Sequence, residues 1–336
     1  MKAAIYNGIK NIEMKELEMP QCGDNDIVVK NVYAAICGLD VSAYYKGGDA
    51  NRIFKGFEFG HEMVSKVVEV GKNVEGIEVG QYVYPYPLLA KGDSSRAATV
   101  GGFSEYILIP NCILNKSVYL VDEKIPLKTA SLIEPFTVGT RAARQSRPKK
   151  GENAIVFGAG AIGISAAIAL KYFGCDKVMV VDFSEYRLEK CQQLGFEICN
   201  SSKEDLKEKA KQCFGEAFGL MGQTANVDIY IDAVGAESIV HTFESMNKIF
   251  SRLVVVGVHH QPVTINLLQI TYSQSEILGS GGYMPEDVRD VMTIMESGEY
   301  DIESIISHEF LLENINEAIE TASQTDQSLK VIIKYE

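Results

Sequence analysis

Residues 154–182 read AIVFGAGAIGISAAIALKYFGCDKVMVVD, and the fold follows from how this stretch is parsed. An apolar run of strand length, Ala154 to Phe157, ends in glycines. The next segment is apolar on most faces, too long for a strand, and closed by Gly174. The run KVMVVD is again short, β-branched and apolar. Strand, helix and strand in about thirty residues make a βαβ unit, whose two strands lie parallel. Strands that are apolar throughout, rather than alternating, belong to a sheet covered on both faces.

The glycines of this unit match G-x-G-x-x-G, which is weak alone. Here it lies between a strand and a helix, and Asp182 ends the next strand roughly 20 residues on, which makes it specific for a dinucleotide. Gly158 permits the tight turn, Gly160 lets the backbone approach a pyrophosphate, and Gly163 lets helix and strand pack closely. Ile162 lies between them in the first helical turn, whose free N–H groups suit phosphate. Asp182 is placed to accept from ribose hydroxyls and would repel a 2′-phosphate, which favours NAD(H) over NADP(H). Arg187, inside the following helix, reads as flanking the adenine.

Downstream the alternation continues through SEYRLEKCQQLG, EICN, KEDLKEKAKQCF, VDIYIDAVG, ESIVHTFESMNKIF and RLVVVGVH. Strands alternating with helices imply right-handed crossovers and a doubly wound parallel sheet, here over residues 141–282. Residues 1–140 have another texture. IVVKNVYAAI and EMVSKVVEVG are β-branched runs separated by Gly, Asp and Asn, so this part is expected to be mostly β. From residue 283 a helix, a mixed segment and the strand SLKVIIKY are expected to return to the first domain. The class is α/β, with one domain formed by 1–140 and 283–336 and the other by 141–282.

A chain of 336 residues has room for about two domains. A net charge of −13 argues against a nucleic-acid partner. The short basic cluster from Arg141 to Lys150 reads as a solvated helix end. No run approaches the about 18 apolar residues of a membrane span, and the N-terminus lacks a signal core, so a cytoplasmic protein with no membrane partner is expected. The seven cysteines are odd in number and form no C-x-x-C, which excludes a disulfide framework and a four-thiolate zinc knuckle.

One pairing stands out. In FEFGHEMVSKVVEVGKNV (57–74), His61 and Glu62 are adjacent at the mouth of an apolar strand. In a regular strand they point to opposite faces. Gly60 supplies the freedom to break that rule. Cys37, in ICGLD, sits at another strand-to-loop junction. Thiolate, imidazole and carboxylate suit Zn²⁺, and Asp40 is a candidate to hold the His61 ring by its other nitrogen. On spacing alone the set is only suggestive, and a buried Cys with a satisfied His is the default reading.

The chain resembles the medium-chain zinc-dependent alcohol and polyol dehydrogenase family. The matching segments are CGLD (37–40), GHE (60–62) followed by VVEVG (67–71), GGFSEYI (101–107), IEPFTVGTRAAR (133–144), GAGAIG (158–163) and VDFSEYRLEKCQQLG (181–195). They run in the family's order along nearly the whole length. The resemblance implies a mostly-β GroES-like catalytic domain around an inserted Rossmann domain. It also implies one catalytic zinc held by Cys37, His61 and either Glu62 or Glu134. Glu134-Pro135 resembles the sorbitol, butanediol and threonine branch. The nicotinamide is then expected near Ala233, Val258 and Ser280, and the substrate, a small-molecule alcohol or ketone, between the domains. A homodimer or homotetramer is implied.

There are departures. The four-cysteine lobe of a structural zinc is replaced by YPYPLLAKGDSSRAATV (84–100), so no structural zinc is expected. Ser65 replaces a glycine. Leu39 replaces the Ser or Thr that passes the substrate proton outward, leaving Ser42, Tyr44 or water. Glu309 stands where an arginine often reaches substrate or cofactor, which weighs against phosphorylated sugars. The implied function is oxidation of a polyol, diol or sugar alcohol with NAD. A threonine or sugar-phosphate dehydrogenase is the alternative, and a non-catalytic NAD(H)-binding protein the alternative of another class.

Overall fold

The computed structural model describes residues 1–90, 94–97 and 100–336. The replaced lobe segment therefore lies in part, at 91–93 and 98–99, outside the described residues. Two compact units form: Met1–Glu134 with Met292–Glu336, and Pro135–Val291. The helices Ile133–Gln145 and Pro285–Ser297 run through both division points. The expected boundaries, 140 and 283, lie within and just ahead of these helices. A continuous helix carries no shift in composition to mark a division inside it.

In the first unit a seven-stranded sheet is organised about the Ile27–Ala35 strand. Glu62–Val70 pairs with it antiparallel on one side, and Lys330–Lys334 antiparallel on the other. Ile27, Val29, Ala34, Met63, Val67, Phe103 and Ile333 form the core beneath. This unit is mostly β, but the central strand runs into a nine-residue helix, Gly38–Lys46. Ser65, in place of a glycine, is fully buried and donates from Oγ to Asn31 Oδ1 at 2.7 Å. Asn31 Nδ2 donates in turn to the carbonyls of Gly102 and Ser104. A buried hydroxyl needs such a partner, because an unpaired one costs roughly 1–3 kcal/mol.

The second unit holds a six-stranded parallel sheet in the order Glu197–Asn200, Lys177–Asp182, Asn153–Phe157, Ile229–Asp232, Arg252–Val255, Glu276–Gly279. The chain starts at Asn153–Phe157, builds outward to one edge, then returns to build outward to the other. That reversal leaves a switch point between Asn153–Phe157 and Ile229–Asp232, outside whose carboxyl ends ligands bind in such sheets. The helix Ala161–Tyr172 is buried from Gly163 to Leu170. A Cβ on Gly163 would lie 1.8 Å from the Gly158 carbonyl, so only glycine fits there. One element was illegible in sequence: the hairpin Glu216–Gly219 with Gly222–Ala225. Its glycines and its lack of β-branched runs hide it from pattern reading.

Candidate metal centre and nucleotide site

Cys37 caps the helix Gly38–Lys46. Its Sγ accepts from Leu39 N at 3.5 Å, and the Asp40 carboxylate accepts from Cys37 N at 2.9 Å. This reciprocal box holds the cysteine where the central strand ends. Asp40 therefore spends Oδ2 on the cap rather than on the His61 ring, contrary to expectation. Its Oδ1 is buried with no hydrogen-bond partner. Burial, partly opposed by the charge of His61, raises its carboxyl to about 6.

Gly60 has φ +90°, and a Cβ there would lie 2.7 Å from the Phe103 ring. The turn leaves His61 just ahead of the strand and makes Glu62 its first residue, opposite Ala35. Cys37 lies two residues beyond Ala35. One ligand atom from each of Cys37, His61 and Glu62 then falls within 4.8 Å of the others. Glu134, in the first turn of Ile133–Gln145 and 8 % exposed, lies outside this trio. Its charge nevertheless acts on both His61 and Lys330.

Lys330 is the residue that sequence reading missed. Ile36 N donates to Val331 O at 3.0 Å, so one step further along the pairing sets Lys330 opposite Cys37. Its side chain is buried, with Nζ 2.5 Å from Glu62 Oε2 and donating to Ile36 O at 2.8 Å. In SLKVIIKY it passes for an ordinary strand-end lysine. The only clue was a lysine opening an apolar run.

The electrostatics of the cluster point one way. Burial alone would lower the His61 pKa, but Cys37, Glu134 and Asp40 outweigh it and hold the imidazole well above its ordinary value. Burial likewise opposes the charge on Lys330, and Glu62, Cys37 and Glu134 restore it. Burial and then Glu62 raise the Cys37 thiol. The surroundings thus favour positive charge at the centre of the trio. A soft thiolate, an imidazole and a carboxylate in such a field fit a divalent zinc ion, and the orphaned Asp40 oxygen marks a polar site with an unmet demand.

The remaining candidates are placed as follows. Ser42 is half-buried on the Gly38–Lys46 helix, and Leu39 is exposed at its start. The Tyr44 hydroxyl donates to Glu320 at 3.0 Å, and burial first, with Glu320, pushes it up to about 12. The Tyr44 hydroxyl is thus committed to Glu320. Glu309 pairs with Lys128 at 2.7 Å.

In the second unit Gly158 has φ +101° and Gly160 caps the Ala161–Tyr172 helix with open space about it. Ile162 is in the first turn. Asp182 Oδ2 accepts from Ala159 N at 2.6 Å, while Oδ1 accepts from Phe183 N and Ser184 N at 2.7 and 2.9 Å. The carboxylate that was expected to meet ribose also braces the glycine turn. Arg187 lies in the helix Glu185–Gln193, whose Ser184 cap accepts from Arg187 N. Ala233, Val258 and Ser280 all follow the carboxyl ends of strands, and Val258 is exposed. Among the described residues no helix is long and apolar enough to cross a membrane.

Residues 23–117 match the alcohol dehydrogenase GroES-like domain, and 161–297 match the zinc-binding dehydrogenase domain. Together with the two units and the Cys–His–Glu trio, these define a two-domain zinc-binding dehydrogenase. The chain belongs to the medium-chain zinc-dependent alcohol and polyol dehydrogenase family. It is 26% identical over 354 residues to the sorbitol dehydrogenase of Bacillus subtilis (strain 168), covering 99% of this chain and 97% of that one. It is 28% identical to the L-threonine 3-dehydrogenase of Shewanella woodyi, with 97% of each covered. The structure of 2R,3R-butanediol dehydrogenase from Bacillus subtilis superposes with a TM-score of 0.86 at 24% identity, over 100% of this chain and 99% of that one.

Proposed function

We propose that this protein oxidises a secondary alcohol of the polyol, diol or sugar-alcohol class to a ketone, passing hydride to NAD, and that one zinc ion is held by Cys37, His61 and Glu62 or Glu134. The observation that carries this is the trio within 4.8 Å, in a setting that favours a cation. The catalytic portion is residues 1–140 with 283–336, and the nucleotide portion 141–282. NAD is favoured over NADP because the Asp182 carboxylate, bonded to the glycine turn, stands where it would oppose a 2′-phosphate. We also propose a cytoplasmic homodimer or homotetramer with no structural zinc, on the family resemblance and the shortened 84–100 segment.

When bound, zinc supplies Lewis-acid polarisation of the substrate oxygen, and NAD supplies the hydride acceptor. The rest falls to the chain. The Asp40 cap fixes where Cys37 presents its sulfur. The Gly60 turn aims His61 and Glu62 at the same point. Thiolate, Glu62 and Glu134 bring negative charge that a divalent ion and Lys330 offset. Either carboxylate can then complete the ligand set while Lys330 neutralises the other. Asp182 holds the glycine turn open for pyrophosphate. With Leu39 unable to relay a proton and Tyr44 bound to Glu320, Ser42 or water carries the proton outward.

The threonine alternative draws on the L-threonine 3-dehydrogenase relatives. Ser42, where that branch usually has a relay histidine, counts against it. Glu309, paired with Lys128, counts against sugar phosphates. A scaffold has no need of a complete donor set. The test is NADH absorbance with the zinc-loaded protein and a panel of sorbitol, 2,3-butanediol, threonine and a sugar-alcohol phosphate, alongside elemental analysis. Turnover of polyols with one zinc per chain is expected. A stoichiometrically metal-free protein inert to the whole panel would sink the proposal.

A further inference from the structure

We propose that His259, held in place by Asp232, is a binding residue for the nicotinamide half of the cofactor, its Nδ1 forming a hydrogen bond with a hydroxyl or carboxamide there; this rests on the NAD reading above. Asp232 ends the strand Ile229–Asp232 and is fully buried. Its Oδ1 accepts from Val234 N and Gly235 N at 2.9 and 2.8 Å. Its carbonyl accepts from Val256 N and Gly257 N at 3.0 and 2.8 Å. Its Oδ2 lies 2.7 Å from His259 Nε2. One residue thus ties together the loops that follow two adjacent strands.

Those loops have no slack. A Cβ on Gly235 would lie 2.4 Å from the Val258 carbonyl, and one on Gly257 would lie 2.2 Å from Gly235 N. A Cβ on Gly158 would lie 2.9 Å from Val234 Cγ2, so the dinucleotide turn packs against the same loops. His259 therefore stands at the carboxyl edge of the sheet, beside the switch point where such sheets take their ligands.

The chemistry of the pair sets what the ring offers. The Asp232 oxygen takes up Nε2, which leaves Nδ1 as the ring's remaining polar atom. Among the described residues Nδ1 has no hydrogen-bond partner. A second unmet group lies at the same edge: the Ser280 Oγ is buried without a partner, while Ser280 N is bonded to Val255 O. An imidazole with its orientation fixed and one nitrogen spare, at the same sheet edge as an unpaired hydroxyl, suits a ligand rich in hydroxyl and amide groups. The ribose hydroxyls and carboxamide of the nicotinamide nucleotide are such groups. The adenosine half belongs to the turn braced by Asp182.

The test compares NADH and ADP binding to the full-length protein by fluorescence and calorimetry. His259→Ala is expected to weaken NADH about 10-fold, the scale of one hydrogen bond, and to leave ADP within about 2-fold of wild type. His259→Gln, whose amide can donate to Asp232 and offer an oxygen in place of Nδ1, should recover part of the loss. Equal weakening of NADH and ADP would assign the residue to loop structure and overturn the inference, as would no change in NADH. If wild-type protein binds neither ligand, the NAD reading fails and takes this one with it.

Discussion

Lys330 and Glu62 form an ion pair 2.5 Å long in which neither side chain is more than 6 % exposed. Two charges so deeply buried stabilise little against the cost of removing them from water, but removing one partner strands the other. Lys330→Met is therefore expected to destabilise the metal-free protein by about 3–5 kcal/mol. Adding Glu62→Gln should recover most of that. Urea denaturation of the two single variants and the double measures the coupling, and additive losses would mean the pair is not a pair in solution.

Cys37→Ser should leave the protein folded, remove its zinc, and cut turnover by on the order of 100-fold or more. NADH affinity should be unchanged, because Asp182 and the glycine turn belong to the other unit. Metal analysis and NADH titration separate the two effects. Undiminished turnover in this variant would remove the metal from the mechanism.

The zinc-induced rise in Tm should be larger at pH 8 than at pH 6. In the metal-free protein the folded pKa of His61 is raised, so its contribution is full below the unfolded value of 6.5 and is lost as pH rises through the folded value. Asp40 works in the same direction. Its carboxyl, raised from 3.8 to about 6, makes the folded chain prefer the protonated form, so its stabilising effect also fades as pH rises through about 6. Zinc needs the Cys37 thiolate and the neutral His61 ring, and both protons compete with it at low pH. Scanning calorimetry with and without zinc checks this, and a gain that shrinks with rising pH would contradict it.

Gly60→Ala should cost at least about 1–2 kcal/mol from the positive φ alone, with the Phe103 contact added to it. Because the turn aims two of the three ligands, zinc content should fall with stability. Full zinc occupancy in a folded Gly60→Ala protein would show that the turn does not set the trio.

Asp182→Asn should lower NADH affinity about 10-fold and NADPH affinity by less, since the like charge opposing a 2′-phosphate is gone. The ratio of the two dissociation constants is the readout. It guards against a loss that comes only from loosening the Ala159 turn.

The nucleotide turn was legible because it is local: strand, glycines, helix and Asp182 lie within one βαβ unit. Cys37, His61 and Glu62 could be nominated by type, but their convergence depends on the register of Ala35 against Glu62, which spacing does not encode. Asp40 was assigned to the wrong partner although the signal was there. A side chain three residues after a helix-capping cysteine is placed to close a box on it. Lys330 left only the faint sign of a lysine opening an apolar run, because its burial comes from pairing with a strand some three hundred residues earlier.

That separation bears on how the protein is made. Ile36 and Lys330 are 294 positions apart, and the whole nucleotide unit is encoded between them. A chain emerging from the ribosome holds its sulfur, imidazole and glutamates early and waits for their ammonium counter-ion until almost everything else has been synthesised. Until then the acids and thiol have no lysine to balance them.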